Sequence, residues 1–312
     1  MNKVQVTECS KENFLSCFYA SREPYVLKGL DIGPAPDLWT GEYLMDKLGQ
    51  DDKEPVRVHV CPHRHMDFIN KNFLYRTLPF KDFIKRAQLN RQTEFFISSD
   101  ERYYLRALGG DPRKEPADFI RQYPELAGDL KLPMFFGPEK VFSSVLRISS
   151  PDAQLWTHYD VMDNFLVQIK GKKRVVLFHP RDALNLYLVG DKSSVLDIDA
   201  PDLTKYPLFD KAERYECYLY PGDVLFIPSL WFHNVLMYDF SVAVNVFWKH
   251  LEAQFYDAKD PYGNKDPPQV QRALQTLDRA MKHLEELPND FYKDFYAKCM
   301  INRLQSKFIL QQ

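Results

Sequence analysis

The sequence predicts a mainly β protein: a double-stranded β-helix, or jelly roll, with an N-terminal cap and a C-terminal helical hairpin. Two observations carry this. From about Phe95 to His250, short runs rich in β-branched and aromatic residues alternate with turn signals, the pattern of a double-sheet barrel. Beyond Pro267-Pro268 the apolar residues recur at three- and four-residue steps, as on helices. The organisation expected is a cap over 1–94, a jelly roll over 95–266 and a helical region over 267–312.

Each element has its own signal. Glu12 to Tyr19 reads as a helix, and Tyr25-Val26-Leu27-Lys28 as a strand before Gly29. Trp39, Tyr43, Leu44 and Leu48 share one face of a helix running from Trp39 to Leu48. Val56-Arg57-Val58-His59-Val60 alternates as a half-buried strand. Asn164 to Ile169, then Lys170-Gly171-Lys172, then Lys173 to Phe178 read as strand, tight turn, strand. Asp197 to Pro207 is an irregular insertion, of the kind that often lines the mouth of a site. Pro221-Gly222 feeds a buried strand over Val224 to Ile227, and Ser241 to Trp248 forms another. Val270, Ala273, Leu274, Leu277, Met281, Leu284 and Leu287 then mark a helix that Pro288 breaks, and Phe291, Phe295 and Cys299 begin a second.

Composition narrows the class. Aromatics make up 14 %, with 23 Phe and 18 Tyr, which argues for a packed globule. No stretch approaches the roughly 20 apolar residues needed to cross a bilayer, and the polar start is no signal peptide, so no membrane role is expected. Cys9, Cys17, Cys61, Cys217 and Cys299 are odd in number and scattered, which disfavours a disulfide framework and suits a reducing cytoplasmic or nuclear address. A net charge of −2 gives no global pull toward nucleic acid. Binding RNA would require a local patch, drawn from Lys81, Lys85 and Arg86, Arg102 and Arg106, Arg113 and Lys114, or Lys170, Lys172 and Arg174. Each of these also reads as an ordinary solvated charge.

The constellation that carries chemistry is His158, Asp160 and, far downstream, His233. Residues i and i+2 of a strand point to the same side, so His158 and Asp160 can reach one ion. Two imidazoles and one carboxylate on a single octahedral face leave three positions open, the mark of non-heme Fe(II) oxygenases. Cys61-x-His63-x-His65 lacks the separated ligand pairs of structural zinc sites, and the remaining histidines are read as structural.

The surrounding text resembles a family. Trp156-Thr157-His158-Tyr159-Asp160 with Asn164, Gly171-x-Lys173-Arg174, and Pro221-Gly222-Asp223 through Trp231-x-His233 are together similar to the cupin-like JmjC-type 2-oxoglutarate oxygenases. Phe142 to His250, with Asp67-Phe68-Ile69, Tyr103-Tyr104-Leu105-Arg106 and Tyr262 to Pro267, narrows the likeness to the tRNA wybutosine hydroxylases.

The resemblance implies Fe(II) on His158, Asp160 and His233, with 2-oxoglutarate as cosubstrate and O2 as oxidant. Lys173 would hold the distal carboxylate of 2-oxoglutarate and Tyr104 would bond the same group. Asn164 would bond its C1 end, with Asn245 a further contact near the metal, and Arg147 would reach a substrate carboxylate. The substrate implied is the side chain of a wybutosine precursor beside the anticodon of phenylalanine tRNA, not DNA. The C-terminal helices would pair two subunits into a homodimer. A protein hydroxylase or a lysine demethylase acting on a peptide is the alternative, although no zinc-finger cysteine pattern accompanies the domain. A catalytically dead binding fold is disfavoured because the three ligands and the lysine are all present.

Overall fold

Sixteen strands, taken in chain order, supply the walls in a computed structural model that describes residues 2–50 and 55–308. They are β1 (Asn2–Lys3), β2 (Gln5–Glu8), β3 (Tyr25–Lys28), β4 (Val56–Cys61), β5 (Leu74–Leu78), β6 (Arg102–Arg106), β7 (Val141–Ser149) and β8 (Gln154–His158). Then come β9 (Asp163–Lys170), β10 (Lys173–Phe178), β11 (Leu188–Val189), β12 (Lys192–Ser193), β13 (Arg214–Leu219), β14 (Val224–Ile227), β15 (Phe232–Met237) and β16 (Ser241–Trp248). One sheet has seven strands in the order β1-β13-β10-β15-β8-β12-β11, and the other has nine in the order β2-β3-β14-β9-β16-β7-β6-β4-β5. This is the jelly roll that the sequence predicts.

Side-chain alternation decides which residues face the space between the sheets. Val175, Leu177, Val235 and Met237 from the smaller sheet cluster there with Tyr104, Leu166, Leu225 and Ala243 from the larger. Their sequence neighbours point outward. Phe165, Val167, Phe226, Val244 and Val246 pack on the far side of the larger sheet against Phe14, Trp39, Leu44, Phe83 and Ile84. Val176, Phe178 and Phe232 pack on the far side of the smaller sheet against Val195, Ile198 and Phe209. Every residue of β16 is buried, which explains why it is apolar except at Ser241 and Asn245.

The turn at Gly171 is less local than it looks. β9 pairs with β14 and β16, whereas β10 pairs with β13 and β15, so the chain changes sheets there instead of closing a hairpin. Gly171 has φ +76°, and a Cβ on it would collide with the Phe240 carbonyl. Only glycine suits that backbone without strain.

Two helices of the first ninety residues differ from expectation. The stretch expected as one helix is a short α turn (Lys11–Asn13), a π-helix (Phe14–Phe18) and a 3-10 turn (Tyr19–Ser21), with Phe14 fully buried among aromatic rings. Trp39 closes a preceding short helix, Ala35–Leu38, and the next helix, Gly41–Leu48, starts at Thr40, whose hydroxyl accepts from the Tyr43 N–H. Strands β2 to β5 of this region belong to the nine-stranded sheet.

Residues 1–251 with 258–264 form one compact unit, and residues 252–257 with 265–312 form another. The second holds two helices, Pro268–Glu285 and Asp290–Phe308. Phe291 (77 %), Phe295 (55 %) and Phe308 (70 %) on the latter are exposed to an extent unusual for phenylalanine. Among the described residues no helix is long and apolar enough to cross a membrane.

Candidate metal centre and its cavity

The antiparallel pairing of β8 with β15 sets His158 directly opposite His233. Asp160 lies just beyond the end of β8, and its carbonyl accepts from the Leu230 N–H at 2.8 Å, which ties that turn to the entry of β15. One ligand atom from each of the three residues lies within 4.8 Å of the others, and His233 Nε2 is 3.5 Å from Asp160 Oδ2. Both rings are oriented in the same way. His158 Nδ1–H donates to the Trp156 carbonyl (3.0 Å), and His233 Nδ1–H donates to the Trp231 carbonyl (3.1 Å). Nε2 of each ring is thereby left as the lone-pair nitrogen, as a ligating imidazole requires.

The charge states fit a divalent cation. Burial, reinforced by His233, pulls His158 down to about 3, and burial also lowers His233, so both imidazoles are neutral at physiological pH. Burial pushes the Asp160 carboxyl up, but His233, His158, Arg147 and Arg106 hold it below the usual carboxylate range. Two neutral nitrogens and one carboxylate oxygen, each already deprotonated, match the donor set that a facial divalent-metal site requires.

Lys173 enters from the same face of the smaller sheet. It is on β10 four positions before Leu177, the cross-strand partner of His233. Burial, then the charge of Arg147, bring its ammonium down to about 7. Tyr104 comes from the opposite wall, and its hydroxyl accepts a hydrogen bond from Arg147 Nη1. Asn245 Nδ2 donates to Asn164 Oδ1 at 2.9 Å, which leaves Asn245 Oδ1 buried with no partner. Arg147 lines the cavity and donates to the Tyr104 hydroxyl, and its field is felt at Lys173, His158, Asp160 and His233.

A cavity of about 300 Å³ opens onto His158 and Asp160. Tyr104, Arg106 and Arg147 line it, with an aromatic flank of Phe68, Tyr75 and Trp156. The Phe68 and Trp156 rings lie 3.7 Å apart at 31°. His59 shares this wall, with Nδ1 3.2 Å from the Tyr104 carbonyl, and burial lowers it to about 4. The Asp197–Pro207 insertion does not reach this cavity. Its Lys205 and Tyr206 line a second one of about 480 Å³, which shares Phe68 and Trp156 with the first.

Among the residues lining this cavity, Arg57 and Tyr75 carry no signal in the sequence, while Arg106 stands there only as a candidate for an RNA patch and, with Tyr262, within the resembling motifs. For Arg106 a signal exists: in Tyr103-Tyr104-Leu105-Arg106 the strand period puts residues 104 and 106 on one face.

Comparison with known proteins adds four findings. Residues 11–254 match the family model described as "Cupin-like domain". The chain is 60 % identical over 306 residues to tRNA wybutosine-synthesizing protein 5 of Danio rerio, covering 98 % of this chain and 93 % of that protein. The Homo sapiens protein of the same name is 58 % identical over 298 residues, covering 96 % and 93 %. More distantly, tRNA wybutosine-synthesizing protein 4 of Gibberella zeae is 39 % identical over 291 residues, 91 % of this chain but 27 % of that longer protein.

Proposed function

Since the chain belongs to the cupin-like domain family, among the JmjC-like hydroxylases related to wybutosine synthesis, we propose that it is an Fe(II)- and 2-oxoglutarate-dependent hydroxylase of the wybutosine-precursor side chain in phenylalanine tRNA. The observation that carries this reading is the convergence of His158, Asp160 and His233 within 4.8 Å, the first two of them lining the cavity. The solitary buried Lys173 projects from the same sheet.

The three ligands would hold ferrous iron, which when bound supplies the oxidising chemistry with O2 and 2-oxoglutarate. Lys173, protonated, fixes the distal carboxylate of 2-oxoglutarate as a buried point charge. Tyr104 bonds the same carboxylate, its hydroxyl held in place by Arg147. Asn164 bonds the C1 end, and Asn245 orients Asn164 through the amide contact. Phe68, Tyr75 and Trp156 give a planar base extruded from the anticodon stack an apolar flank. The sheets exclude water around these groups, and the position of the base selects the carbon that is oxidised.

The exposed apolar residues of the Asp290–Phe308 helix support a homodimer through the C-terminal helices. All five cysteines are free, which supports a reducing cytoplasmic or nuclear address.

The direct test offers the enzyme, with Fe(II) and 2-oxoglutarate, both hypomodified phenylalanine tRNA and a cell peptide extract. A mass gain of one oxygen on the modified nucleoside, with matching succinate, is expected. The same gain on a peptide and none on the nucleoside would replace this reading with a protein hydroxylase.

A further inference from the structure

The cavity contains a cation that the cosubstrate does not explain. Arg106 on β6 is the direct cross-strand partner of Arg147 on β7, so two guanidiniums share one wall. Like charges directly opposite each other on a sheet destabilise it. Arg147 donates from Nη1 to the Tyr104 hydroxyl, although its Nε, like that of Arg106, is sealed from solvent without an acceptor. Arg106 is not engaged in this way. Its head group meets the Tyr262 ring at 5.3 Å and the Tyr262 carbonyl at 3.4 Å, and its Nε is sealed from solvent without an acceptor. Among the described residues no carboxylate comes within ion-pair distance of it; the carboxylate whose field it feels is Asp160, already committed to the metal set. Burial, then Arg147, lower its proton affinity from the ordinary arginine value.

A guanidinium in a cavity beside a like charge, without a counter-ion, is a site prepared for an arriving anion. We propose that Arg106 is the receptor for an oxyanion presented by the substrate. The proposal rests on the RNA reading above, since an RNA bearing a modified base offers two such groups, a carboxylate on the base and a backbone phosphate. The planar fork of arginine suits the paired oxygens of either. The carboxylate is the better fit, because Arg106 shares a cavity of about 300 Å³ with His158 and Asp160, where an extruded base arrives and a backbone does not.

The test measures fluorescence anisotropy with three anticodon hairpins of phenylalanine tRNA: unmodified, carrying the precursor base with its free carboxylate, and carrying the methyl ester of that base. The wild-type protein should bind the acid roughly tenfold more tightly than the ester, a difference of one charge-assisted hydrogen-bonded pair. Arg106→Gln should bind acid and ester alike, with the unmodified hairpin unaffected, and Arg106→Lys should keep part of the preference. A loss in Arg106→Gln of equal size for all three hairpins would support an oxyanion site that reads phosphate instead. An acid preference that survives Arg106→Gln, or one absent from the wild type without a uniform loss, would overturn the proposal. Modified hairpins binding no better than the unmodified one in the wild type would instead sink the substrate reading, and the unmodified arm alone would then decide for or against Arg106. Thermal melting and 2-oxoglutarate affinity of both variants serve as controls for folding.

Discussion

His158 and His233 face each other across adjacent antiparallel strands, their ring centroids 4.3 Å apart and each Nδ1–H turned back to the carbonyl two residues earlier. The backbone that builds the sheet therefore also sets the tautomer of both rings. Without such restraint, two neutral imidazoles this close would compete for protons or rotate apart.

Removing one donor should therefore abolish metal capture while leaving the sheets intact. For His158→Ala and Asp160→Ala we expect loss of stoichiometric Fe(II) binding by metal analysis and a fall of at least ~100-fold in tRNA-dependent succinate formation, beyond what outer-shell changes cost. Circular dichroism should be unchanged. Succinate production at the wild-type rate in either variant would remove the assigned iron site.

If Lys173 anchors 2-oxoglutarate as proposed, cosubstrate binding should depend on pH. Its ammonium, lowered to about 7 in the folded protein, is the form that holds a carboxylate. Above that pH, binding must take up a proton, so the Kd for 2-oxoglutarate should rise by roughly tenfold per unit as long as the ligand-free lysine is neutral. For folding the sign is opposite. The unfolded lysine keeps its proton up to about 10.5 and so binds more protons than the folded one between about 7 and 10.5, and ligand-free stability rises with pH through that window. Calorimetry on the wild type and Lys173→Met should show both dependences vanish in the variant. A Kd that stays flat from about pH 6.5 to 9 in the wild type would show that Lys173 does not anchor the cosubstrate.

Gly171→Ala should destabilise the fold by about 2–3 kcal/mol, from a positive φ combined with a backbone clash at Phe240. Gly190→Ala has a similar φ of +61° but open space around the added carbon, and should cost only about 1 kcal/mol. Urea unfolding of the two variants separates the clash from the dihedral strain. Equal costs would mean that Phe240 moves aside freely.

If the C-terminal helices pair two subunits, Phe291→Asp with Phe295→Asp should convert a dimer to a monomer by light scattering. Phe291 at 77 % and Phe295 at 55 % exposure are the apolar surface such pairing would cover. A wild-type protein that is monomeric at micromolar concentration would end the dimer reading.

What the sequence revealed follows from which patterns are local. The strand period exposes the inward set of Lys173, Val175 and Leu177, because alternation is a property of consecutive residues. The His-x-Asp spacing instead brings Asp160 to His158 through a turn past the end of β8 and not through a strand. Partners across strands are not local. Lys170-Gly171-Lys172 reads as an ordinary tight turn, and nothing in those residues says that the flanking strands pair elsewhere. His233 was reachable only through the motif around it, since its proximity to His158 is made by the fold. For Arg106 the sequence leaves open an RNA patch or a solvated charge, because its neighbour across the sheet, Arg147, lies far along the chain. The Glu12–Tyr19 region has helical spacing, but packing of Phe14 into an aromatic cluster goes with a widened turn there, which spacing does not encode.

The crossing at Gly171 also works as a length gauge. With two residues joining β9 to β10, one added residue would reverse the parity of everything downstream until the strand ends. Arg174 would then turn inward and Lys173 would swing out to solvent, while all three metal donors, which lie on other segments, stayed where they are. On the proposed assignment, such a protein would load iron with no anchor for its organic partner. Drift in chain length is thus forbidden here.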